Sequence, residues 1–372
     1  MSKSKKLEIN ADIGDYLKLC ACTAVMLQPI LSLALTAHPA AGSQFGIGLI
    51  YNLVKFTAPA FIFGILYTTT RTTLNAQLTY GSYLNKQWHA LFIPTIWWTF
   101  AYLLLMPNVQ QVNKFHDLPS FLWHFINGNA APHLWYNTMM LQFIILMPLF
   151  WAIGHWCGTN KKRGWITLGG TLLITAAWLL FYDTAIFQGP HAQSWYLFDR
   201  LFISFFIYGV GGVLAWQYRA SFNRVLQKFW PILIVIFLAS FYWTNYELHQ
   251  FGTPVDLANA PYYKPSMTIY DLAVIGLIAA LALFQIQRKL PFTAFVHKFA
   301  GFAYKAYLSN VFWSQLIWHL FGQQLTGQNI LLGVILTYAC TWCLSFASAF
   351  GLHALWQKVK ALSRSDSRRL AE

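Results

Sequence analysis

Residues 268–287 read TIYDLAVIGLIAALALFQIQ, and Arg288-Lys289 follow directly. Asp271 is the one charged residue in those twenty. At ~1.5 Å rise per residue, a helix of this length covers the ~30 Å hydrocarbon layer of a bilayer. A basic pair at the end of such a run marks its cytoplasmic boundary. The stretch therefore predicts a membrane-spanning helix that points inward at its C-terminal end.

The same pattern recurs in both directions along the chain. Apolar windows of about 20 residues lie near 17–37, 46–68, 88–107, 134–156, 164–182, 197–217, 229–245, 268–287, 302–322 and 329–356. The expected fold is an all-α integral membrane bundle of ten transmembrane helices. Nothing resembling a linker or a soluble domain interrupts it. The organisation is a cytoplasmic N-terminal segment (1–16), one membrane domain (17–357) and a basic cytoplasmic tail (358–372). The opening MSKSKKLEINADIGD is polar and lacks the form of a cleaved leader.

Charge tests the count. With the N-terminus inside and ten crossings, the inner segments hold Lys3, Lys5, Lys6, Arg71, Lys86, Lys161, Lys162, Arg163, Arg219, Arg224, Lys228, Arg288, Lys289, Lys298, Lys358, Lys360, Arg364, Arg368 and Arg369. The outer loops, roughly 108–133, 183–196 and 246–267, hold only Lys114 and Lys264. That bias places both termini in the cytoplasm. The net charge of +14 thus reads as membrane orientation and not as a nucleic-acid platform. Composition agrees: 10% charged residues against 57% hydrophobic ones is far from the ~25% charged of soluble domains. Cys20, Cys22, Cys157, Cys340 and Cys343 lie in or beside apolar runs, which favours packing over disulfide or zinc roles.

Ionisable groups within spans are costly and ask for a reason. Lys18 opens the first span, where snorkelling to the surface is the plain alternative to a role. Lys55 sits a third of the way into the second. Asp199 and Arg200 adjoin at the outer end of the sixth, and neighbours ~100° apart on a helix are not expected to pair. Asp271 is read equally well as an interfacial residue. Span nine carries Lys305, Ser309, Asn310, Ser314, Gln315 and His319, a broad polar face that belongs against the bundle interior or a wet cavity. Pro29, Pro59 and Pro148 fall inside spans and predict kinks that free carbonyls toward an interior cavity. Gly209, Gly211 and Gly212 predict close helix packing. No P-loop, dinucleotide glycine pattern, H-E-x-x-H, G-x-S-x-G or metal-ligand cluster occurs, so no metal or bound cofactor is expected.

Five stretches resemble the acyltransferase-3 family of membrane O-acyltransferases. They are DYLKLCACTAVMLQPILS (15–32), NLVKFTAPAFIFGILY (52–67), SYLNKQWHALFIPTIWWTFAYLL (82–104), HLWYNTMMLQFIILMPLFW (133–151) and FAYKAYLSNVFW (302–313). Order and spacing carry the resemblance more than any single stretch. Within the family the chain is most similar to the branch tied to poly-N-acetylglucosamine adhesins of bacterial biofilms, first described as exporters and now regarded as O-succinyltransferases. The resemblance implies a multi-pass protein of the bacterial cell membrane. It also implies transfer of an acyl group, acetyl or succinyl, from cytoplasmic acyl-CoA to a hydroxyl of a surface polysaccharide or lipid-linked sugar. Acyl-CoA is then a co-substrate, the glycan, membrane lipid and a glycan synthase are the partners, and nucleic acid is not.

Site residues follow from the same resemblance. The family's first-span histidine falls where this chain has Gln28-Pro29, and the preceding arginine is matched by Lys18. Asn310 stands where the penultimate span should carry a histidine. An amide can hold a hydroxyl but cannot take its proton at neutral pH. Lys18, Gln28 and Asn310 are the matched catalytic positions, and His133 and His319 are the candidate replacement bases. Lys18, Arg71 and Lys86 are the expected donor-binding residues, and Trp135, Tyr136, Asp199, Arg200 and Lys305 the expected glycan-binding or structural ones. Two other readings stand beside the enzyme: an export or glycan-binding component that has lost the chemistry, and an ion-coupled carrier using Lys55, Asp199, Arg200 and Lys305.

Overall fold

The computed structural model describes residues 11–76, 79–112 and 114–369. Lys3, Lys5 and Lys6, and the side chains of Lys360, Arg364, Arg368 and Arg369, lie outside the described residues. Every regular element among the described residues is a helix. In chain order these are α1 (Ile13–Val25), α2 (Leu27–Leu35), α3 (Ala41–Leu53), α4 (Thr57–Ala76), α5 (Tyr80–Gln87), α6 (Ile93–Leu105), α7 (Leu118–Asn127), α8 (Trp135–Ile145) and α9 (Met147–Cys157). There follow α10 (Lys161–Tyr182), α11 (Phe206–Gln217), α12 (Arg219–His249), α13 (Pro265–Gln287), α14 (Phe292–Ala300), α15 (Ala303–Ile317), α16 (Gln323–Gln328) and α17 (Ile330–Arg369).

Among the described residues, seven segments are long and apolar enough to cross a membrane: Ile13–Leu35, Ala41–Thr73, Tyr80–Leu105, Lys161–Phe187, Arg219–His249, Pro265–Gln287 and Ile330–Lys358. They coincide with seven of the ten expected windows. The other three depart for separate reasons. Helices α8 and α9 together make an eighth candidate, but bent by 53°. Phe202–Gln217 is apolar but shorter than a full crossing. The helix over 303–328 carries too many polar groups to read as an apolar span.

The prolines act where expected. A proline cannot donate to the carbonyl four residues back, and each of the three follows a break. Pro29 follows the α1–α2 joint at Met26. Pro59 follows the non-helical turn 54–56 between α3 and α4, and Pro148 follows the bend at Leu146.

Packing closes the bundle around these breaks. Helix α12 lies along α13, α1 and α11 both lie on α4, and α15 lies on α17. A Cβ on Gly212 would stand 2.5 Å from the Phe63 carbonyl oxygen, so glycine is what lets α11 meet α4. The buried core runs through the middle of the bundle and includes Tyr102, Phe143, Phe150, Phe205, Tyr270 and Tyr307. Asp271 is fully buried against neighbouring helices and accepts a hydrogen bond from the Tyr208 hydroxyl at 3.1 Å.

Candidate functional site

Two of the helix breaks meet. At the first, Gln28 follows the α1–α2 joint. At the second, the turn 54–56 leaves carbonyls without intrahelical donors, and side chains supply them. Gln28 Nε2 donates to the Val54 carbonyl at 2.8 Å and to Thr57 Oγ1 at 3.2 Å. The Tyr270 hydroxyl donates to the Leu53 carbonyl at 2.7 Å.

Beside this junction lies an inner chamber of about 120 Å³. Its walls include Gln28, Lys55, His133, Tyr136, Tyr262 and Tyr307. A vestibule of about 550 Å³ adjoins it, walled by Gln111, Tyr182, Asp199, Asp256 and neighbouring residues of the long connections. Ser32, Tyr51, Lys55, Pro132, Trp135 and Tyr262 belong to both spaces and form the neck between them. Small-molecule sites run to about 300–1,000 Å³, so the vestibule has the size of such a site and the chamber could take only the end of a ligand.

Three polar groups in the chamber wall are incompletely satisfied. His133 is 7% exposed, and its Nε2 lies 3.3 Å from the Leu308 carbonyl. A carbonyl only accepts, so this contact assigns the proton to Nε2 and leaves Nδ1 as a bare lone pair with no partner among the described residues. His133 lies in the connection before α8, where burial pushes its imidazole down to about 3 and keeps it neutral. Its backbone carbonyl accepts from the Tyr307 hydroxyl, and its ring packs edge-on against Tyr102 and Tyr307. The Tyr136 hydroxyl is likewise buried with no partner among the described residues.

Lys55 is the third. It is 7% exposed, donates to the Tyr51 hydroxyl at 3.1 Å, and lies 4.6 Å from the ring centres of both Tyr51 and Tyr262. Each ring face offsets ~0.5–2 kcal/mol, against several kcal/mol for desolvating an ammonium. No ion pair among the described residues includes it.

The other expected site residues divide between two further places and the outside. At the end of the bundle with short connections, Asp12 and Asp15 cap α1 reciprocally. Asp15 pairs with Lys18 at 2.8 Å and with His297 at 2.7 Å, and Asp12 with Arg71 at 3.0 Å. Burial, reinforced by Asp15, pushes the Asp12 carboxyl up despite Lys18 and Arg71. Lys18 and Arg71 are therefore already partnered by carboxylates, whereas Lys86 is exposed near the end of α5.

At the vestibule, Asp199 and Arg200 do pair, at 3.0 Å, contrary to expectation. They occupy a 3-10 turn ahead of the Phe202–Gln217 helix and not the regular α-helix that the sequence implied. Arg200 also donates to the Asn127 carbonyl and to Asn129 Oδ1 at 2.6 Å, which pins the connection before α8. Burial outweighs Arg200 and pushes the Asp199 carboxyl up to about 6. Trp135 and Tyr136 line the chamber.

Asn310 is fully buried one residue from Val311, a chamber wall residue; its amide donates to the Tyr307 carbonyl and its Oδ1 has no partner among the described residues. Lys305 lies 3.5 Å from His353 Nδ1 and borders neither space. His319 sits exposed in a π-helical turn away from both spaces. Tyr51, Thr57, Tyr262 and Tyr307 were not marked by the sequence. Pro59, four residues past Lys55, was the local signal of an opened helix there.

The family model for the acyltransferase domain, Acyl_transf_3, matches residues 14–352. No curated protein and no solved structure matches the chain.

Proposed function

The chain belongs to the acyltransferase family Acyl_transf_3, and on that premise we propose that it is an integral O-acyltransferase of the bacterial cell membrane. It moves an acetyl or succinyl group from cytoplasmic acyl-CoA to a hydroxyl of a surface polysaccharide or its lipid-linked precursor. The bent pair, the short helix and the polar helix over 303–328 complete ten crossings with the seven apolar segments. Both termini are then cytoplasmic, the vestibule faces outward, and the Lys18, Arg71 and Lys86 end meets the donor's phosphates.

The observation that carries this reading is His133, a buried neutral imidazole with an unpartnered Nδ1 in the wall of the Gln28 chamber. It takes the part of the base that Gln28 and Asn310 cannot play. The acceptor hydroxyl loses its proton to Nδ1, its oxygen bonds to the thioester carbon, the carbon–sulfur bond breaks, and the proton leaves on the thiol of coenzyme A. Lys55 and the Tyr136 hydroxyl are the groups available to the oxyanion that forms on the carbonyl. Trp135 and Tyr262 supply aromatic faces at the neck for a sugar.

The test is release of free coenzyme A from acetyl-CoA or succinyl-CoA by the purified protein in nanodiscs, with deacylated surface glycan added. Release that depends on glycan and is lost in His133→Gln supports the reading. A second reading, an export or glycan-binding component working with a glycan synthase, is favoured by the amide of Gln28 being spent on holding the broken helix. Glycan binding without thiol release would establish it.

A further inference from the structure

Among the described residues, Lys55 and Arg200 are the buried lysine and arginine side chains. Arg200 has Asp199. Lys55 has no carboxylate of the described residues within 4.0 Å. The carboxylate that shares this interior, Asp271, is engaged by the Tyr208 hydroxyl and lies beyond ion-pair distance of Lys55. An ammonium kept in such a place at the cost of desolvation is a preformed half of an ion pair.

Its location says what the other half is. Lys55 walls both the chamber and the vestibule, so a ligand passing the neck meets it. An ammonium carries three N–H donors, and here one is given to Tyr51. The rings of Tyr51 and Tyr262 each lie 4.6 Å from the ammonium.

We propose that Lys55 binds an anionic group of the ligand at the neck, so that the substrate entering from the vestibule is acidic. This rests on the vestibule being the ligand entrance. A carboxylate and a phosphate share the chemistry that Lys55 recognises, and the probes below separate them.

The experiment is isothermal titration of the full-length protein in nanodiscs with sodium malonate, sodium glucuronate and inorganic phosphate, with neutral N-acetylglucosamine as control. At least one anion is expected to bind saturably and to be weakened at least tenfold by Lys55→Met, with Lys55→Arg within a few-fold of wild type. Malonate or glucuronate binding identifies a carboxylate ligand, and phosphate binding a phosphorylated one. Ser32→Glu, at an exposed position of the neck, supplies an internal counter-charge and should abolish anion binding with the fold intact. It decides the matter if Lys55→Met does not fold. Absence of saturable anion binding to wild type, or equal binding by Ser32→Glu or a folded Lys55→Met, overturns the proposal. Coenzyme A release with a neutral glycan, in a protein that binds no anion, would leave the acyltransferase reading standing and this inference refuted.

Discussion

Gln28 Nε2 stands 2.8 Å from the Val54 carbonyl oxygen, so the kink of the first span is tied to the break of the second. That bond satisfies a carbonyl which an unbroken helix would have paired itself. Gln28→Ala should cost about 1–3 kcal/mol, the penalty for a buried group left unpaired. Gln28→Glu should cost at least as much, because a carboxylate has nothing to donate. Thermal unfolding in nanodiscs measures both, and wild-type stability in either variant would show that the bond does not hold the break.

His133 makes stability depend on pH. Its folded-state value, about 3, lies below the ordinary 6.5, so between those values the unfolded chain binds the proton and the folded protein does not. Stability from this group is complete above about pH 6.5 and is lost as pH falls toward 3, on the order of 1 kcal/mol per pH unit. His133→Gln should remove that component. Melting curves at pH 7.5 and pH 5 for the two proteins give the difference directly, and equal slopes would mean that the imidazole is not buried neutral.

The two ion pairs that cap α1 should respond unequally. Arg71→Met removes the cation in contact with Asp12 and should cost about 1–2 kcal/mol, an intermediate value for a pair in which Arg71 is one-third exposed. Lys18→Met should cost less than about 1 kcal/mol, because Asp15 keeps His297. Denaturation of the two variants side by side tests the order, and a larger loss in Lys18→Met would reverse it.

Close packing makes Gly212 intolerant. A methyl there meets the Phe63 carbonyl oxygen at 2.5 Å, whereas one on Gly169 meets nothing within 4 Å. Gly212→Ala should cost about 1–3 kcal/mol through overpacking, and Gly169→Ala should leave stability unchanged or slightly raised. Expression and melting temperature of the pair are the readout, and equal effects would place α11 farther from α4 than described.

Much of the fold was legible because a bilayer demands twenty apolar residues per crossing, and the windows showed them. The windows also took in Phe202–Gln217, which is shorter than a full apolar crossing, and the helix over 303–328, whose polar groups set it apart from the seven apolar segments. Pro29, Pro59 and Pro148 announced the breaks, since a missing donor acts locally. The site was less legible. Lys55 reads only as a charge a third of the way into a span, and nothing local shows that its ammonium lies 4.6 Å from the rings of both Tyr51 and Tyr262. Arg200 and Asp199 pair in a 3-10 turn where the sequence implied a continuous α-helix, and nothing local marked that departure. Tyr262 and Tyr307 come from segments distant in the chain, and nothing local marks their convergence on His133.

The most direct test of acyl transfer is mass spectrometry of surface glycan from cells that lack this protein, complemented with wild type or with His133→Gln. Acyl groups that vanish on deletion, return with wild type and fail to return with a stably expressed His133→Gln are the predicted result. Unchanged acylation on deletion, with less polymer outside the cell, would contradict it and leave export as the function.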